Sequence, residues 1–157
     1  MWKSSEPTLV DACVLIESAR VDRLQPFLQR LRIEVGRMAY SEVRYFEDDV
    51  GEMHPIELGR FPGLSVLDAT AEELAELAAR WERRRLSAED KEFLALARRG
   101  GLYACTSDLR VMKALWNLGL KDRWVSLEEL LSFDDLPAPQ LEPQFRRGLA
   151  DHPKLRS

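Results

Sequence analysis

The sequence predicts an α/β fold, a three-layer α/β/α sandwich with a central, mainly parallel sheet. Short apolar runs alternate along the chain with segments of helical periodicity, which is typical of parallel strands joined by crossover helices. The chain has 157 residues, 45% of them hydrophobic and 32% charged, which is enough for one domain with a substantial core. We expect a single domain over residues 1–135 and a proline-rich C-terminal tail over 136–157 that wraps the surface or is partly disordered.

The predicted strands are short apolar runs. The first run covers residues 9–16, and its later part is equally compatible with the start of a helix. Further strands are expected at residues 33–35, 64–67 and 102–105, and a last short one at Trp124 and Val125. A strand that is buried on both faces has a continuous apolar sequence, so these runs favour a parallel sheet covered by helices.

Capping signals and apolar stripes mark the helices. Thr70 with Glu73, and Ser87 with Asp90, have the spacing of capping boxes. The first of these helices is expected to close on the basic run 83–85, and the second to stop at residues 100–101. Other helices are expected around residues 22–31, 111–118 and 126–131, and one that begins near Glu42. Residues 48–62 are interpreted as a loop that contains at most a short helix.

Charge and cysteine content narrow the functional classes. The net charge of −4 does not favour non-specific binding to nucleic acid, so such a partner needs a local basic patch or a bound cation. No apolar stretch approaches the roughly 18 residues of a membrane span, and no signal peptide is evident. Cys13 and Cys105 are too few for a disulfide framework, and small buried thiols explain them better than a redox pair. We expect a cytoplasmic protein without a membrane partner.

Four acidic residues stand where this fold would bring them together. Asp11 and Asp108 follow predicted strands, and Glu42 and Asp90 lie near predicted helix starts. The carboxyl ends of parallel strands meet at one edge of the sheet, where ligands bind in such folds. Clustered carboxylates repel one another, and a divalent cation offsets that repulsion. The pattern predicts a Mg²⁺ or Mn²⁺ site, which most often acts on phosphate esters.

Each acid also has a local explanation. Asp90 is the third-position partner of Ser87 in a capping box, Asp108 could cap the following helix, and Asp11 could be a turn residue. Glu42 could be a first-turn acid favoured by the helix dipole. The joint pattern of four acids favours a site over four separate coincidences. Two further acids are close enough in sequence to reach it and are not assigned to it, namely Glu17 and Glu89.

Four segments in order resemble the PIN domain family of metal-dependent ribonucleases, which includes the VapC toxins of bacterial toxin–antitoxin pairs. They are residues 9–16 with Asp11, 41–43 with Glu42, 86–97 with Asp90, and 106–108 with Asp108. Residues 125–131 are similar to the usual end of the family, so the resemblance covers residues 9 to about 133. Cys13 departs from the family, in which a small hydroxyl or amide residue is common at that position.

The resemblance implies hydrolysis of RNA phosphodiester bonds at a Mg²⁺ or Mn²⁺ centre. The four acids would be its ligands and catalytic groups, with Asp11 and Asp108 as the most direct, and Thr106 and Ser107 would support them by hydrogen bonds. Cations within one or two turns of the acids are candidates for RNA binding, although solvated helix surface explains them as well. These cations are Arg44, Lys91, Arg110 and Lys113.

Three functions remain open from the sequence. The first is a toxin ribonuclease with a small antitoxin partner, an expectation that depends on the resemblance alone. The second is a PIN-type nuclease for RNA processing or decay without an antitoxin, and the third is a catalytically inert binding module. The resemblance also implies a homodimer, for which Trp81, Trp116 or Phe46 could supply an apolar interface, although core packing explains them equally well.

Overall fold

A computed structural model describes residues 2–81, 85–133 and 136–146. Within these residues the strands are β1 Thr8–Val10, β2 Ile33–Gly36, β3 Tyr45–Glu47, β4 Met53–Pro55, β5 Ser65–Leu67 and β6 Tyr103–Cys105. The helices are α1 Ala12–Arg20, α2 Leu24–Arg30, α3 Arg37–Glu42, α4 Ala71–Arg80, α5 Ala88–Arg98, α6 Leu109–Asn117, α7 Leu127–Leu130 and α8 Pro143–Arg146. Three 3₁₀ turns cover Leu58–Arg60, Lys121–Arg123 and Leu131–Phe133.

Four parallel strands form the central sheet in the order β5-β2-β1-β6. Thr8 of β1 lies opposite Ile33 on one side and Tyr103 on the other. The chain moves from β1 outward through β2 to β5 and then returns to the far side of β1 as β6. The predicted α/β/α sandwich is confirmed, and the strand order reverses between β1 and β6, where ligands bind in open sheets of this kind.

Helices cover both faces of the sheet because successive side chains of each strand point to opposite faces. Val10 and Cys105 pack with α1, α2 and α7 in one apolar cluster. Leu9 and Ala104 pack with α4, α5 and α6 in the other. The two layers hold the carboxyl ends of β1 and β6 side by side.

The helix predicted over residues 22–31 begins two residues later, at Leu24. Asp22 has a φ of 58°, which interrupts the helical geometry between α1 and α2. Aspartate tolerates this left-handed conformation better than most residues. The two helices therefore pack separately against the same face of the sheet.

The interpretation of residues 48–62 as a loop is wrong in its first part. β3 and β4 form an antiparallel hairpin in which Phe46 lies opposite His54, and their rings stack with centroids 4.8 Å apart. Asp48 closes the turn by accepting hydrogen bonds from the backbone N–H groups of Val50 and Glu52 at 3.0 and 2.8 Å. Strands of three residues are too short to show an alternating pattern, which is why the sequence did not reveal them.

Three other expectations need correction. Glu42 ends α3 instead of starting a helix, because α3 begins directly after β2. The helix after Thr70 stops at Arg80, since Trp81 leaves helical geometry and is buried. Residues 83 and 84 of the expected basic run lie outside the described residues. Trp124 makes a single parallel bridge to Ala104 and does not begin a strand.

The part of the C-terminal segment that the structure describes packs against the body of the protein. Leu141 and Phe145 are buried in the cluster that contains α1. Arg20 donates a hydrogen bond to the carbonyl of Gln140 at 2.9 Å, and the N–H of Glu142 donates to Glu17 at 2.6 Å. Residues 136–146 therefore wrap α1, whereas the boundary at residue 135 stays a prediction.

The aromatic residues expected at an interface have intramolecular partners. Trp81 is buried, and Trp116 packs edge-on against Trp124 with ring centroids 6.0 Å apart. Within the described residues, the large apolar side chains that are exposed are instead Tyr45, Val50, Met53 and Leu136. The same part of the chain contains no helix with the length and apolar character needed to cross a membrane.

We expect Phe145→Ala to lower the free energy of unfolding by about 3 kcal/mol, because it empties a buried aromatic site. Gln144→Ala, at the neighbouring exposed position, is the matched control and should change it by less than about 0.5 kcal/mol. Urea unfolding of both variants measures the difference. Equal stabilities would show that residues 136–146 do not pack on the core in solution.

Candidate metal centre

Asp11 lies at the carboxyl end of the central strand and begins α1. Its Oδ1 accepts a hydrogen bond from the N–H of Val14 at 2.9 Å, which makes it the N-cap of the helix. The buried Thr106, just beyond β6, hydrogen-bonds the same carboxylate through its side chain. Asp11 is thus fixed from two neighbouring strands.

Asp108 occupies the equivalent position after β6 and begins α6. Its Oδ1 accepts a hydrogen bond from the N–H of Arg110 at 2.8 Å, and its own N–H donates to the Thr106 hydroxyl at 3.2 Å. Thr106 therefore contacts both acidic residues, in the supporting position expected of it. Ser107, the other expected support, is half-buried and lies between Thr106 and Asp108 in the sequence.

Asp90 has a capping role and also belongs electrostatically to the cluster. Its Oδ2 accepts from the N–H of Ser87 at 3.1 Å, while the Ser87 hydroxyl accepts from the N–H of Asp90 at 3.0 Å. Oδ1 takes no part in this capping box. The charge of Asp90 nevertheless acts on Asp11. The local and the functional explanations of this residue are compatible.

Glu89, which the sequence did not assign to the site, joins it through Glu42. Burial raises the pKa of Glu89, and a hydrogen bond with Glu42 and the charge of that residue raise it further. The raised pKa follows from placing two acidic side chains next to each other at a partly buried position. The signal in the sequence was the adjacent pair of acids, Glu89 and Asp90, in the first turn of one helix.

Five acids lie close enough together that their charges act on one another. We call this group the acid cluster: Asp11, Glu42, Glu89, Asp90 and Asp108. Burial raises the pKa of Asp11 from 3.8 to about 6, and the charges of Asp108 and Asp90 add to the effect. The hydrogen bonds from Thr106 and Val14 oppose that shift without cancelling it. A carboxylate in this environment is stabilised by a bound cation.

The donor chemistry of the acid cluster fits a hard divalent cation. All of its donors are carboxylate oxygens, which Mg²⁺ and Mn²⁺ prefer. In the described residues, no three of its carboxylates have ligand atoms that all lie within 4.8 Å of one another. Magnesium sites commonly combine one or two carboxylates with bound water, and the wider spacing suits that mode of binding.

Cations lie beside Asp108. Arg110 pairs with Asp108, with Nη2 3.2 Å from Oδ2, and also donates through Nη1 to the carbonyl of Arg85 at 3.2 Å. Arg85, Leu86, Arg110 and Lys113 line a cavity of about 260 Å³. We call this cavity the basic pocket. Arg85 belongs to the basic run 83–85, which was interpreted as a helix end in preference to a phosphate-binding patch.

The other two expected cations lie outside the basic pocket. Arg44 is exposed, and its Nε donates to the carbonyl of Ser41 at 3.1 Å, close to the end of α3. Lys91 is half-buried next to Asp90 on α5. Both are near the acid cluster in sequence.

Three further residues named in the sequence analysis lie in other environments. Glu17 is buried in an ion pair with Arg20 and also binds the C-terminal segment, so it lies outside the acid cluster. Cys105 is buried, as expected, and burial raises the pKa of its thiol. Cys13 is exposed, so the expectation of a buried thiol is wrong there. The charges of Asp11, Glu89, Asp108 and Asp90 act on its thiol, which therefore lies beside the acid cluster.

A second group of possible ligands lies on the hairpin. The ligand atoms of Asp48, Glu52 and His54 all lie within 4.8 Å of one another. The Nε2 atom of His54 is 2.7 Å from Oδ2 of Asp48, and this contact lowers the pKa of Asp48. His54 had no expected role. This group, the hairpin cluster, has the donor atoms of a metal site and is therefore an alternative to the acid cluster.

No protein-family profile matches the chain, and none of the curated proteins does. Among solved structures, the chain is similar to the crystal structure of PAE2754 from Pyrobaculum aerophilum, with a TM-score of 0.54 and 17% sequence identity. The alignment covers 82% of this chain and 94% of that one. At this identity the likeness supports the fold alone.

We expect Asp11→Asn to stabilise the metal-free protein at pH 7.5. The pKa of Asp11 is raised from 3.8 to about 6, so between these two pH values the folded state holds a proton that the unfolded state has lost. The stability of the parent therefore falls as the pH rises through this range. Asparagine keeps the N-cap and removes the charge. The gain should be about 1–2 kcal/mol at pH 7.5 and vanish near pH 4.

Urea unfolding in EDTA at both pH values measures this difference. Asp22→Asn, at an exposed turn, is the control and should show no such dependence on pH. A variant that is less stable than the parent at pH 7.5 would contradict the repulsion within the acid cluster.

Proposed function

We propose that the chain is a metal-dependent endoribonuclease of the PIN type, with the acid cluster as its Mg²⁺ or Mn²⁺ centre. The observation that supports this most is the convergence of carboxylates at the point where the strand order reverses. Asp11 and Asp108 follow the adjacent strands β1 and β6, and Thr106 contacts both. Helix capping would explain each acid separately, but it does not explain why the charges of several acids act on one another.

The roles of the individual residues follow from their environments. A bound divalent ion would polarise a phosphoryl oxygen and lower the pKa of a bound water. Asp11 and Asp108 would hold the ion from rigid strand ends, and Thr106 would orient Asp11. A bound ion would also offset the repulsion between Glu42 and Glu89, which raises the pKa of Glu89 in the metal-free protein.

The basic pocket is an argument for a polyanionic substrate. The chain as a whole is acidic, so cations concentrated beside the acids are informative. Arg110 connects the basic pocket to the acid cluster through its ion pair with Asp108. A phosphate in the pocket would lie beside the metal centre, as required for the phosphate next to a scissile bond.

Three functions remain as proposals. A toxin with a small antitoxin and a processing nuclease without one would use the same chemistry, and the resemblance alone supports the antitoxin and the homodimer. A neighbouring small reading frame would separate these two functions. An inert binding module is favoured by one observation, since Arg110 engages both oxygens of Asp108 in this state.

Cleavage of RNA tests the proposal. We expect the parent to cleave a pool of cellular RNA with Mn²⁺ or Mg²⁺ and EDTA to abolish cleavage. Asp11→Asn and Asp108→Asn should each lower the rate by at least about 100-fold, because a metal centre contributes several kcal/mol to transition-state stabilisation. Mapping the ends of the products by sequencing also detects a single structured target.

His54→Ala, in the hairpin cluster, is the matched control and should retain the activity of the parent. Loss of cleavage in this variant, with retention in the two aspartate variants, would assign the chemistry to the hairpin. A parent that cleaves nothing in the pool would favour the inert module.

The basic pocket generates a separate prediction. Arg85→Ala and Lys113→Ala should each weaken RNA binding and lower the slope of log K against log salt by about 0.7, the value for one phosphate contact on a single strand. Affinity for Mn²⁺ should not change. Lys121→Ala, in the turn that leads to Trp124, removes the same charge away from the acids and should have no effect. Fluorescence anisotropy at several salt concentrations measures the slopes. Slopes of Arg85→Ala and Lys113→Ala that equal the slope of the parent would exclude the pocket as a phosphate site.

A further inference from the structure

A buried glutamate of α5 caps the amino end of α3. Glu92 is only 4% exposed, and its two carboxylate oxygens lie 3.0 and 3.2 Å from the N–H of Met38, which donates to them. The N–H of Ala39 also hydrogen-bonds this side chain. The residue that precedes α3 is Gly36, which has no side chain to cap the helix. Glu92 therefore supplies from another element the acceptor that the first turn of a helix needs.

Gly36 makes room for this cap. A Cβ atom at this position would overlap the carboxyl group of Glu92. The φ of Gly36 is −70°, which any residue adopts, so the requirement for glycine here is one of space. The lack of a side chain at Gly36 thus leaves the space that the carboxyl group of Glu92 occupies, although the two residues are far apart in sequence.

The other end of α3 meets the same helix. Glu42 is the last residue of α3 and hydrogen-bonds Glu89. Glu89 and Glu92 are three residues apart on α5, so they lie on one face of that helix. That face contacts the amino end of α3 through Glu92 and its carboxyl end through Glu89.

We propose that Glu92 is a positioning residue for the acid cluster: by capping α3 it holds Glu42 against Glu89 at the metal centre. A helix of six residues is far below the length at which helices are stable alone, so α3 depends on its contacts. Removing the cap frees the amino end of α3, and Glu42 at the other end loses its fixed position. The effect on metal binding rests on the proposed function, whereas the effect on α3 does not.

The test compares three variants with the parent. Glu92→Ala removes the cap, Glu92→Gln keeps an acceptor oxygen of the same shape, and Leu77→Ala, in α4, removes a buried side chain elsewhere. The first measurement is amide hydrogen exchange of residues 38–42 relative to β1. The second is the affinity for Mn²⁺, measured by calorimetry on the metal-free protein.

We expect faster exchange throughout residues 38–42 and an affinity for Mn²⁺ that falls by about 10-fold or more in Glu92→Ala, the range typical of residues that orient metal ligands. Glu92→Gln should recover most of both properties. Leu77→Ala should lower the melting temperature without changing either, which separates positioning from general destabilisation.

Two results would overturn the inference. Unchanged protection of residues 38–42 in Glu92→Ala would show that Glu92 does not hold α3. Lost protection with unchanged affinity for Mn²⁺ would show that α3 does not position a ligand. A parent that binds no Mn²⁺ would contradict the proposed function instead, and the exchange of residues 38–42 would then decide whether Glu92 fixes Glu42.

Discussion

Repulsion between carboxylates at the carboxyl ends of β1 and β6 is the constraint on which the site depends. The fold opposes it with backbone N–H groups at helix starts. Asp11, Asp90 and Asp108 each accept a hydrogen bond from the backbone at the start of α1, α5 and α6 respectively. The positive ends of three helix dipoles therefore face one region, which lowers the cost of gathering negative charge there.

Glu42 enters the acid cluster under the opposite condition. It lies at the carboxyl end of α3, where the helix dipole disfavours a negative charge. Its neighbour Glu89 has a raised pKa because of burial and the contact with Glu42. The cluster thus combines three carboxylates at helix starts with the pair of Glu42 and Glu89.

Features fixed by neighbouring residues could be predicted from the sequence. The capping box of Thr70 and Glu73 and the acid that follows β1 depend on contacts within four residues, and the sequence located both. The sheet followed from the alternation of apolar runs with helical stripes. Asp11 and Asp108 could be placed at one edge because each follows a strand of a parallel sheet, in which the strands share a direction.

The features that the sequence did not reveal depend on distant contacts. The hairpin of β3 and β4 has strands too short for a periodic pattern, and its turn is closed by the side chain of Asp48. Glu89 enters the site only because α3 ends beside α5, and the matching of Gly36 with Glu92 joins residues 36 and 92 across two elements. No spacing rule within one helix or strand contains this information.

Anomalous diffraction from crystals soaked in Mn²⁺ tests the central claim most directly, because it locates the ion without reference to activity. We predict a peak within coordination distance of Asp11 and Asp108, at the carboxyl ends of β1 and β6, and its loss in Asp11→Asn. A peak only at Asp48, Glu52 and His54, or no peak in the parent, would contradict the assignment of the acid cluster as the metal centre.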